Sequence, residues 1–302
     1  MTENVTPDWI AADWGTTHLR VWAMQGGTVL DHAQSDNGMA KLKRDQFEGA
    51  LLELVEGWLG SDPISVIACG MVGARQGWVE APYSSVPCKP DHSEHAIPTC
   101  NDPRLNVRVI PGLKQNAPAD VMRGEETQIA GFLAMNPGWD GVICLPGTHS
   151  KWVHVSAGEV VSFQTFMTGE QFDLLSTSSV LRHSVDTKGW DKPAFDEALN
   201  DSLSRPEKLA AHLFNLRARD LLTGQSKEAA RARLSGLLIG SELAAARPFW
   251  LGQQVAVVGA TALSQIYADA LATQGVPATV ADGARMTLAG LQAAYRLIKE
   301  TA

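Results

Sequence analysis

The sequence predicts a two-domain α/β protein, and three observations lead to that fold class. The chain has 302 residues, which exceeds the usual size of one compact core and suits two domains of about 150 residues each. A Gly-Thr turn between two β-prone runs occurs at Gly15–Thr16 and again, in a similar setting, at Gly147–Thr148. Apolar runs of strand length alternate with amphipathic helical segments in both halves. We therefore expect each half to be a mixed β-sheet flanked by helices.

The first Gly-Thr turn belongs to a predicted β-meander over residues 9 to 35. An apolar run enters the turn, a second β-prone run leaves it, and a glycine turn at 25–27 leads to a third run. Glycine has no Cβ, so backbone N–H groups and short hydroxyls at such a turn can approach an anion closely. Gly15, Thr16 and Thr17 are therefore predicted to bind phosphate.

The second turn opens the second half in the same way, because the run 142–145 enters it and two β-prone runs follow. Gly147, Thr148 and His149 are the predicted phosphate-binding residues of this copy. The two copies differ two residues before the glycine, where the first has Asp13 and the second has Leu145. Only Asp13 can hold a cation, so it is the predicted metal ligand.

The rest of the first half contains a predicted helix over 47–59 and a predicted buried strand over 64–69. Arg75, Gln76 and Trp78 follow that strand, at the end where α/β sheets present ligands. A solvated loop charge is an equally good interpretation of Arg75. At Gly38-Met39 the backbone could approach a ligand closely, although a simple turn explains this pair equally well.

Residues 80 to 112 are rich in proline and predict a long ordered loop or small lid with a short strand at 107–110. The segment Cys88–Cys100 offers two thiols and two imidazoles, which are zinc ligands. All four lie in one short segment, however, so a polar surface loop is favoured. Cys69 and Cys144 lie in apolar runs and are expected to be buried thiols.

A helix beginning near Glu125 is predicted to close the first half. Acidic residues in a first turn are stabilised by the helix dipole, which gives Glu125 and Glu126 a purely structural explanation. The pattern leaves a further role open for Glu125, for Glu126 and for Asp120 just upstream. Arg123 immediately precedes the helix.

The second half is predicted to start near residue 136. Thr168 is expected to cap a helix, and two further helices are predicted over 209–222 and 228–246. The arginines of those two helices are interpreted as solvated charges: Arg217, Arg219, Arg231 and Arg233. The run 255–258 predicts a buried strand that ends in a Gly259 turn, followed by a last strand over 277–280 and a helix over 285–299.

The acidic composition limits the classes of partner. A net charge of −8 argues against nucleic acid and anionic membrane surfaces. The chain contains no apolar run long enough to span a bilayer, and its first residues lack a signal-peptide pattern. A cytoplasmic protein is expected, and a homo-oligomer is compatible with the sequence.

Several motifs together resemble the 2-dehydro-3-deoxygalactonokinases, a family within the superfamily of actin, the Hsp70 ATPase domain, hexokinase and the sugar kinases. The resemblance runs in order from residue 9 to about residue 261. It rests on the two Gly-Thr turns and on the segments 70–73, 78–83, 121–128, 145–153, 167–170 and 236–240.

This resemblance implies the two-domain actin-like (ribonuclease H-like) ATPase fold, with the active site in the cleft between the halves. The expected domains are residues 1–135, joined by the helix 284–302, and residues 136–283. The implied cofactors are ATP and Mg²⁺, and the implied reaction converts 2-dehydro-3-deoxy-D-galactonate to its 6-phosphate.

The resemblance also suggests roles for individual residues. Asp13 would belong to the Mg²⁺ shell, Glu126 or Glu125 would orient or deprotonate the acceptor hydroxyl, and Arg75 or Arg123 would pair with the substrate carboxylate. Gly259, Ala260 and Thr261 match a turn that cradles adenosine. Two rival functions stay open: a kinase for another sugar acid on the same fold, and a nucleotide switch that binds a protein.

Overall fold

The computed structural model describes residues 5–91 and 94–301. These form two compact units. Unit 1 consists of the residues up to 139, residues 155–162 and the residues from 283 onwards, and unit 2 consists of residues 140–154 and 163–282. The sequence placed the domain boundaries at 135/136 and 283/284.

Each Gly-Thr turn joins the first two strands of a five-stranded sheet. In unit 1 the strand order is β3-β2-β1-β4-β6, and the other sheet has the corresponding order β11-β10-β9-β12-β13. The strands of the first sheet are β1 Trp9–Trp14, β2 Leu19–Gln25, β3 Thr28–Ser35, β4 Ile64–Gly70 and β6 Leu105–Val109. Those of the second are β9 Gly141–Leu145, β10 Ser150–Ser156, β11 Glu159–Phe166, β12 Val255–Gly259 and β13 Ala278–Asp282.

The sheets are mixed, as expected. In unit 1, β1 pairs antiparallel with β2 and parallel with β4. In the second sheet, β12 pairs parallel with both β9 and β13. The central strands β1, β9 and β12 are almost entirely buried, which explains why they are continuous apolar runs rather than alternating ones.

The helices are α1 Phe47–Val55, α2 Glu125–Met135, α3 Thr168–Thr177, α4 Arg182–Val185, α5 Lys192–Ser204, α6 Leu209–Thr223, α7 Lys227–Ala245, α8 Arg247–Trp250, α9 Thr261–Thr273 and α10 Gly283–Thr301. A short 3₁₀ turn at Met71–Gly73 follows β4. Among the described residues, no helix is long and apolar enough to cross a bilayer.

The region 80–112, which was expected to be a loop with one short strand, contains a further short strand and is followed by a hairpin. A small sheet with the order β5-β7-β8 combines β5 Tyr83–Ser85, β7 Gly112–Asn116 and β8 Ala119–Met122. The β7–β8 hairpin was missed because its strands are short and neither is a continuous apolar run or a strict alternation of apolar and polar residues.

Helix α10 completes the core of unit 1. Its Tyr295 stacks on Trp9 of β1 with ring centroids 4.4 Å apart. It also lies directly against α2, where an added Cβ on Gly131 or Gly290 would overlap the backbone of the other helix. The two glycines therefore allow α2 and α10 to approach more closely than larger residues would.

Candidate active site

The first Gly-Thr turn is held by its own carbonyl groups. Gly15 N–H donates to His18 O at 2.9 Å, and the amides of residues 38–40 donate to the carbonyls of Thr17, Gly15 and Thr16. Thr16 and Thr17 are exposed. Within the described residues, no hydrogen bond is seen for the amides of Thr16 and Thr17, so the turn presents donors to an anion.

The glycines of the two turns are not required by the fold. An added Cβ on Gly147 would meet nothing within 4 Å, and one on Gly15 would make only an ordinary contact at 3.5 Å. Neither residue has the positive φ that favours glycine. The fold therefore leaves room beside both glycines for another group to approach the backbone closely.

Asp13 is the last residue but one of β1 and is paired with Arg20 of β2. The two residues are opposite each other in the antiparallel ladder, and Arg20 Nη2 donates to Asp13 Oδ2. Asp13 Oδ1 has the Cys69 thiol 3.8 Å away. Burial raises the pKa of the Asp13 carboxyl, and the charge of Arg20 opposes this rise.

Cys69 connects Asp13 with the start of α2. Its thiol is fully buried, and burial raises its pKa, with the carboxylates of Asp13 and Glu126 adding to the rise. Thr127 also hydrogen-bonds to this thiol. The structure thus brings Asp13 and Glu126 to the same end of β4.

The two acidic residues at the start of α2 differ in exposure. Glu126 is fully buried, and its carboxylate accepts from Gly124 N at 2.7 Å and from Thr127 Oγ1 at 3.0 Å. Burial raises the pKa of Glu126 to about 8, and the charge of Glu125 contributes. Glu125 is partly exposed, and its carboxylate accepts from Arg123 N. Asp120 belongs instead to the hairpin strand β8.

The two arginines that were predicted to bind the substrate carboxylate also differ in exposure. Arg75 is 82% exposed and makes a long ion pair of 3.5 Å with Glu80. The Arg123 guanidinium lies over the ring of Tyr83 at 4.3 Å and donates to Ala81 O at 2.8 Å. Its Nε and Nη1 atoms are buried without a partner among the described residues.

The remaining substrate candidates are dispersed. Trp78 lies in the core of unit 1, where it packs against Trp14 and Phe47, so its position is that of a packing residue. Gln76 is exposed on the loop after β4. Met39 and Gly38 lie against the first turn, since Met39 N donates to Gly15 O at 3.0 Å.

The second Gly-Thr turn is fixed by the start of α3. Glu170 N donates to Thr148 O at 2.9 Å, and its carboxylate lies 2.6 Å from His149 Nε2. Gly169 lies so close that an added Cβ would overlap Gly147 O. Lys151 Nζ donates to His149 O at 3.1 Å. As in the first copy, the carbonyls are engaged while Thr148 and His149 are exposed.

A cavity of about 440 Å³ adjoins this turn within unit 2. Its walls are mostly apolar and come from the helices α3, α7 and α9, from Trp190 before α5, and from the turn itself. They include Gly147, Thr148, Thr168, Gly169, Phe172, Trp190, Arg231, Ser235, Leu238, Ile239, Leu263, Ile266 and Tyr267. This volume and lining suit a nucleotide base and ribose.

The predicted adenosine turn lies next to the phosphate turn but does not line this cavity. An added Cβ on Gly259 would be 3.3 Å from Pro146 O, and Ala260 and Thr261 are exposed. The lining comes instead from the following turns of α9, at Leu263, Ile266 and Tyr267.

Two of the sequence interpretations in unit 2 are wrong in detail. Arg231 was assigned to a solvated face, whereas its guanidinium lies 4.9 Å from the Phe172 ring and lines the cavity. Arg233 is largely buried and pairs with Glu197. Thr168 does not act as a helix cap, because α3 starts at Thr168 itself and its hydroxyl bonds to Glu242.

Sequence reasoning also missed Arg20 and the aromatic cavity residues Phe172 and Trp190. Strand alternation could have paired Arg20 with Asp13, because both flank one hairpin turn. Nothing in the sequence signals that Phe172 and Trp190 share a cavity. Among the described residues of Cys88–Cys100, no cluster suitable for a metal occurs; His92 and Ser93 lie outside the described residues.

Comparison with known proteins identifies the relatives of this chain. A profile of the family described as 2-keto-3-deoxy-galactonokinase matches residues 13–294. The 2-dehydro-3-deoxygalactonokinase of Escherichia coli (strain K12) is 34% identical over 291 residues, which cover 95% of this chain and 97% of that protein. A Rhizobium meliloti protein named "probable 2-dehydro-3-deoxygalactonokinase" is 37% identical over 295 residues, covering 95% and 96%.

Solved structures also resemble this chain. The crystal structure of a homologue from Sinorhizobium meliloti matches with a TM-score of 0.89 at 36% identity, covering 96% of this chain and 99% of that one. Component A of the Acidaminococcus fermentans (R)-2-hydroxyglutaryl-CoA dehydratase matches with a TM-score of 0.54 at 12% identity, covering 96% and 98%. The second likeness concerns the fold alone, and the predicted actin-like ATPase fold is confirmed.

Proposed function

The chain belongs to the 2-keto-3-deoxy-galactonokinase family, and on this premise we propose that it transfers a phosphoryl group from ATP to the 6-hydroxyl of 2-dehydro-3-deoxygalactonate. The pair of Gly-Thr turns is the observation that best supports ATP binding. Both have glycine where the fold has room for a Cβ, exposed threonine hydroxyls, and carbonyls that are already bonded. Such turns are built to donate hydrogen bonds to phosphate.

Unit 2 is proposed to hold the nucleotide. The base would enter the apolar cavity beside Phe172 and Trp190, with its phosphates at Gly147 and Thr148 on the cavity wall. Arg231 is already stacked on Phe172 at that wall. Aromatic and guanidinium planes stack well on a purine.

Asp13 fits a magnesium site of the kind that kinases use. Mg²⁺ usually keeps several waters and is held by one or two carboxylates together with substrate phosphates. Among the described residues, the weakly bonding Cys69 thiol is the hydrogen-bond partner of Asp13 Oδ1, whereas Arg20 donates to Oδ2. Oδ1 is therefore the oxygen that would hold the ion or one of its waters. The ion would neutralise charge on the transferring phosphate.

Glu125 is proposed as the group that meets the acceptor hydroxyl. It is the partly exposed member of the acidic pair, whereas Glu126 is fully buried. Arg75 is proposed to pair with the substrate carboxylate, because its guanidinium is largely exposed on the loop that follows β4. Arg123 would brace that loop through Ala81.

The proposed step is a direct displacement. The 6-hydroxyl oxygen attacks the γ-phosphorus, its proton passes to Glu125, and the bond from phosphorus to the bridging oxygen breaks to release ADP. Arg20 is the protein cation nearest to Asp13, and it keeps that carboxylate in place. Because hydrogen bonds within the chain hold both phosphate turns, positioning contributes without a large ordering cost.

The test is a measurement of ADP release with a panel of sugar acids. We expect kcat/KM to be highest for 2-dehydro-3-deoxygalactonate, lower for its epimers, and lowest for a neutral analogue. Glu125→Gln should lower kcat by about 10²–10⁴-fold, while Glu126→Gln, the matched neighbour, should lower it far less. A preference for neutral sugars would refute the substrate, and a larger loss in Glu126→Gln would reassign the base.

A further inference from the structure

Glu242 lies at the centre of a buried polar cluster in unit 2 that the proposed chemistry does not use. It is on α7 and only 3% exposed. Trp152 Nε1 donates to its Oε1 at 2.8 Å, and Tyr267 OH donates to its Oε2 at 2.8 Å. The hydroxyls of Thr168 and Ser150 also bond to this carboxylate.

The four partners come from three separate elements. Ser150 and Trp152 belong to β10, Thr168 begins α3, and Tyr267 belongs to α9. Tyr267 is further joined to Ser150, with the two hydroxyl oxygens 3.2 Å apart. One carboxylate of α7 therefore ties together three elements, of which α3 and α9 line the nucleotide cavity.

Two of these partners lie directly beside the second phosphate turn. Ser150 follows the turn residues 147–149 in the chain. Thr168 precedes Gly169, which packs on Gly147 O, and Glu170, whose amide donates to Thr148 O at 2.9 Å. The turn is thus followed in the chain by one residue bonded to Glu242, Ser150, and contacted by the neighbours of another, Thr168.

The same cluster forms part of the cavity wall. Thr168 and Tyr267 both line the cavity of about 440 Å³, while Glu242 and Trp152 lie behind them and are buried. A buried carboxylate costs more than an apolar residue of similar size unless its hydrogen bonds are satisfied. Its value here is the fixed geometry that several directed hydrogen bonds impose.

We propose that Glu242 is a positioning residue for nucleotide binding, which aligns the second phosphate turn and the cavity wall through Ser150, Thr168 and Tyr267. This inference rests on the proposed function, because it assigns the cavity to ATP. Glu242 touches no ligand itself. Its loss should weaken nucleotide binding specifically and leave sugar-acid binding unchanged.

The test compares Glu242→Gln with a matched buried carboxylate in unit 1. The amide keeps the shape of the side chain but turns one acceptor into a donor, so the cluster of donors can no longer be fully satisfied. Glu48→Gln is the control, because Glu48 is also buried and accepts three hydrogen bonds from Asn101 and Asp102. Both changes disturb a buried network, but only Glu242 is connected to the nucleotide cavity.

The dissociation constants of ADP and ATP are measured by calorimetry without sugar acid, and KM is then measured for each substrate. We expect Glu242→Gln to raise the nucleotide Kd and the KM for ATP by at least tenfold, with the KM for the sugar acid within twofold. Glu48→Gln should leave the nucleotide Kd within twofold of wild type.

A second variant keeps the test open if Glu242→Gln does not fold. Tyr267→Phe removes the hydroxyl that joins Glu242 and Ser150 but keeps the ring on the cavity wall, and it should raise the nucleotide Kd about three- to tenfold. An unchanged nucleotide Kd in either folded variant, or an equal loss of affinity for both substrates, would overturn the inference. Failure of the wild type to bind ADP or ATP would instead refute the proposed function.

Discussion

Glu126→Gln should stabilise the protein at alkaline pH, because the native structure makes this carboxyl hard to ionise. Its folded-state pKa is about 8, against an ordinary value of 4.5. The folded chain therefore retains a proton that the unfolded chain releases, and stability is lost as the pH rises from 4.5 to 8. At about 1.36 kcal/mol per pH unit, this rise of about 3.5 units corresponds to a loss of roughly 5 kcal/mol by pH 8.

The glutamine side chain can reproduce the hydrogen bonds of the neutral acid. Its carbonyl can accept from Gly124 N, and its amide group can donate to Thr127 Oγ1, where the present distances are 2.7 and 3.0 Å. At pH 5 the variant and the wild type should therefore have similar free energies of unfolding. From pH 5 to 8 the variant should gain about 1.4 kcal/mol per pH unit relative to the wild type, and above pH 8 the difference should stay constant.

The measurement is denaturant unfolding at several pH values, followed by the fluorescence of tryptophans in the core of unit 1, such as Trp9, Trp14 and Trp78. All other titrating groups are shared by the two proteins, so their contributions cancel in the difference. Glu125→Gln is the control, since removing its charge should lower the pKa of Glu126 and end the effect at a lower pH. Parallel stability curves for wild type and Glu126→Gln would refute the reasoning.

Three further predictions concern the ligands. Gly147→Val should fold normally, because an added Cβ meets nothing within 4 Å. Its rate of ATP turnover should fall by more than a hundredfold, which is about 3 kcal/mol. Near-normal activity in the steady-state assay would show that this turn is not part of the site. Asp13→Asn should raise the Mg²⁺ concentration needed for half-maximal rate about tenfold or more, with an unchanged KM for the sugar acid. If the dependence of the rate on Mg²⁺ is unaltered, Asp13 does not bind the ion. Arg75→Met should reduce kcat/KM for the sugar acid about 30-fold or more, which is about 2 kcal/mol, and leave kcat/KM for a neutral analogue unaffected, whereas Arg123→Met should mainly lower the stability of the protein. If the ratio of kcat/KM for the acid to that for the neutral analogue is the same in wild type and in Arg75→Met, Arg75 does not bind the substrate carboxylate.

Local patterns allowed much of the fold to be predicted from the sequence. The two meanders, strand β4, helix α2 and strand β12 are each marked by an apolar run of the right length and a glycine turn. The match between the two Gly-Thr turns also reflects the corresponding strand orders of the two sheets. These elements are determined by interactions between residues that are close in the chain, so they can be predicted from the sequence.

Features that depend on contacts between distant segments were not predictable. Phe172, Trp190 and Arg231 meet at one cavity although nearly sixty residues separate the first from the last. Likewise, the choice between Glu125 and Glu126 depends on which side of α2 faces the protein interior, and adjacent helical positions face different directions. The acidic pair alone could not indicate that Glu126 is the buried member.

The position of α10 has a consequence for how the protein is made. Its Leu291, Ala294 and Tyr295 share a core cluster with Trp9 and Cys69, but the ribosome synthesises them after the whole of unit 2. The nascent unit 1 therefore keeps apolar surface exposed while unit 2 is being translated, and one face of β4 has no cover until α10 docks. A chain that still lacks α10 would thus expose surface of the kind that chaperones bind, and unit 1 could complete its core only after α10 has left the ribosome.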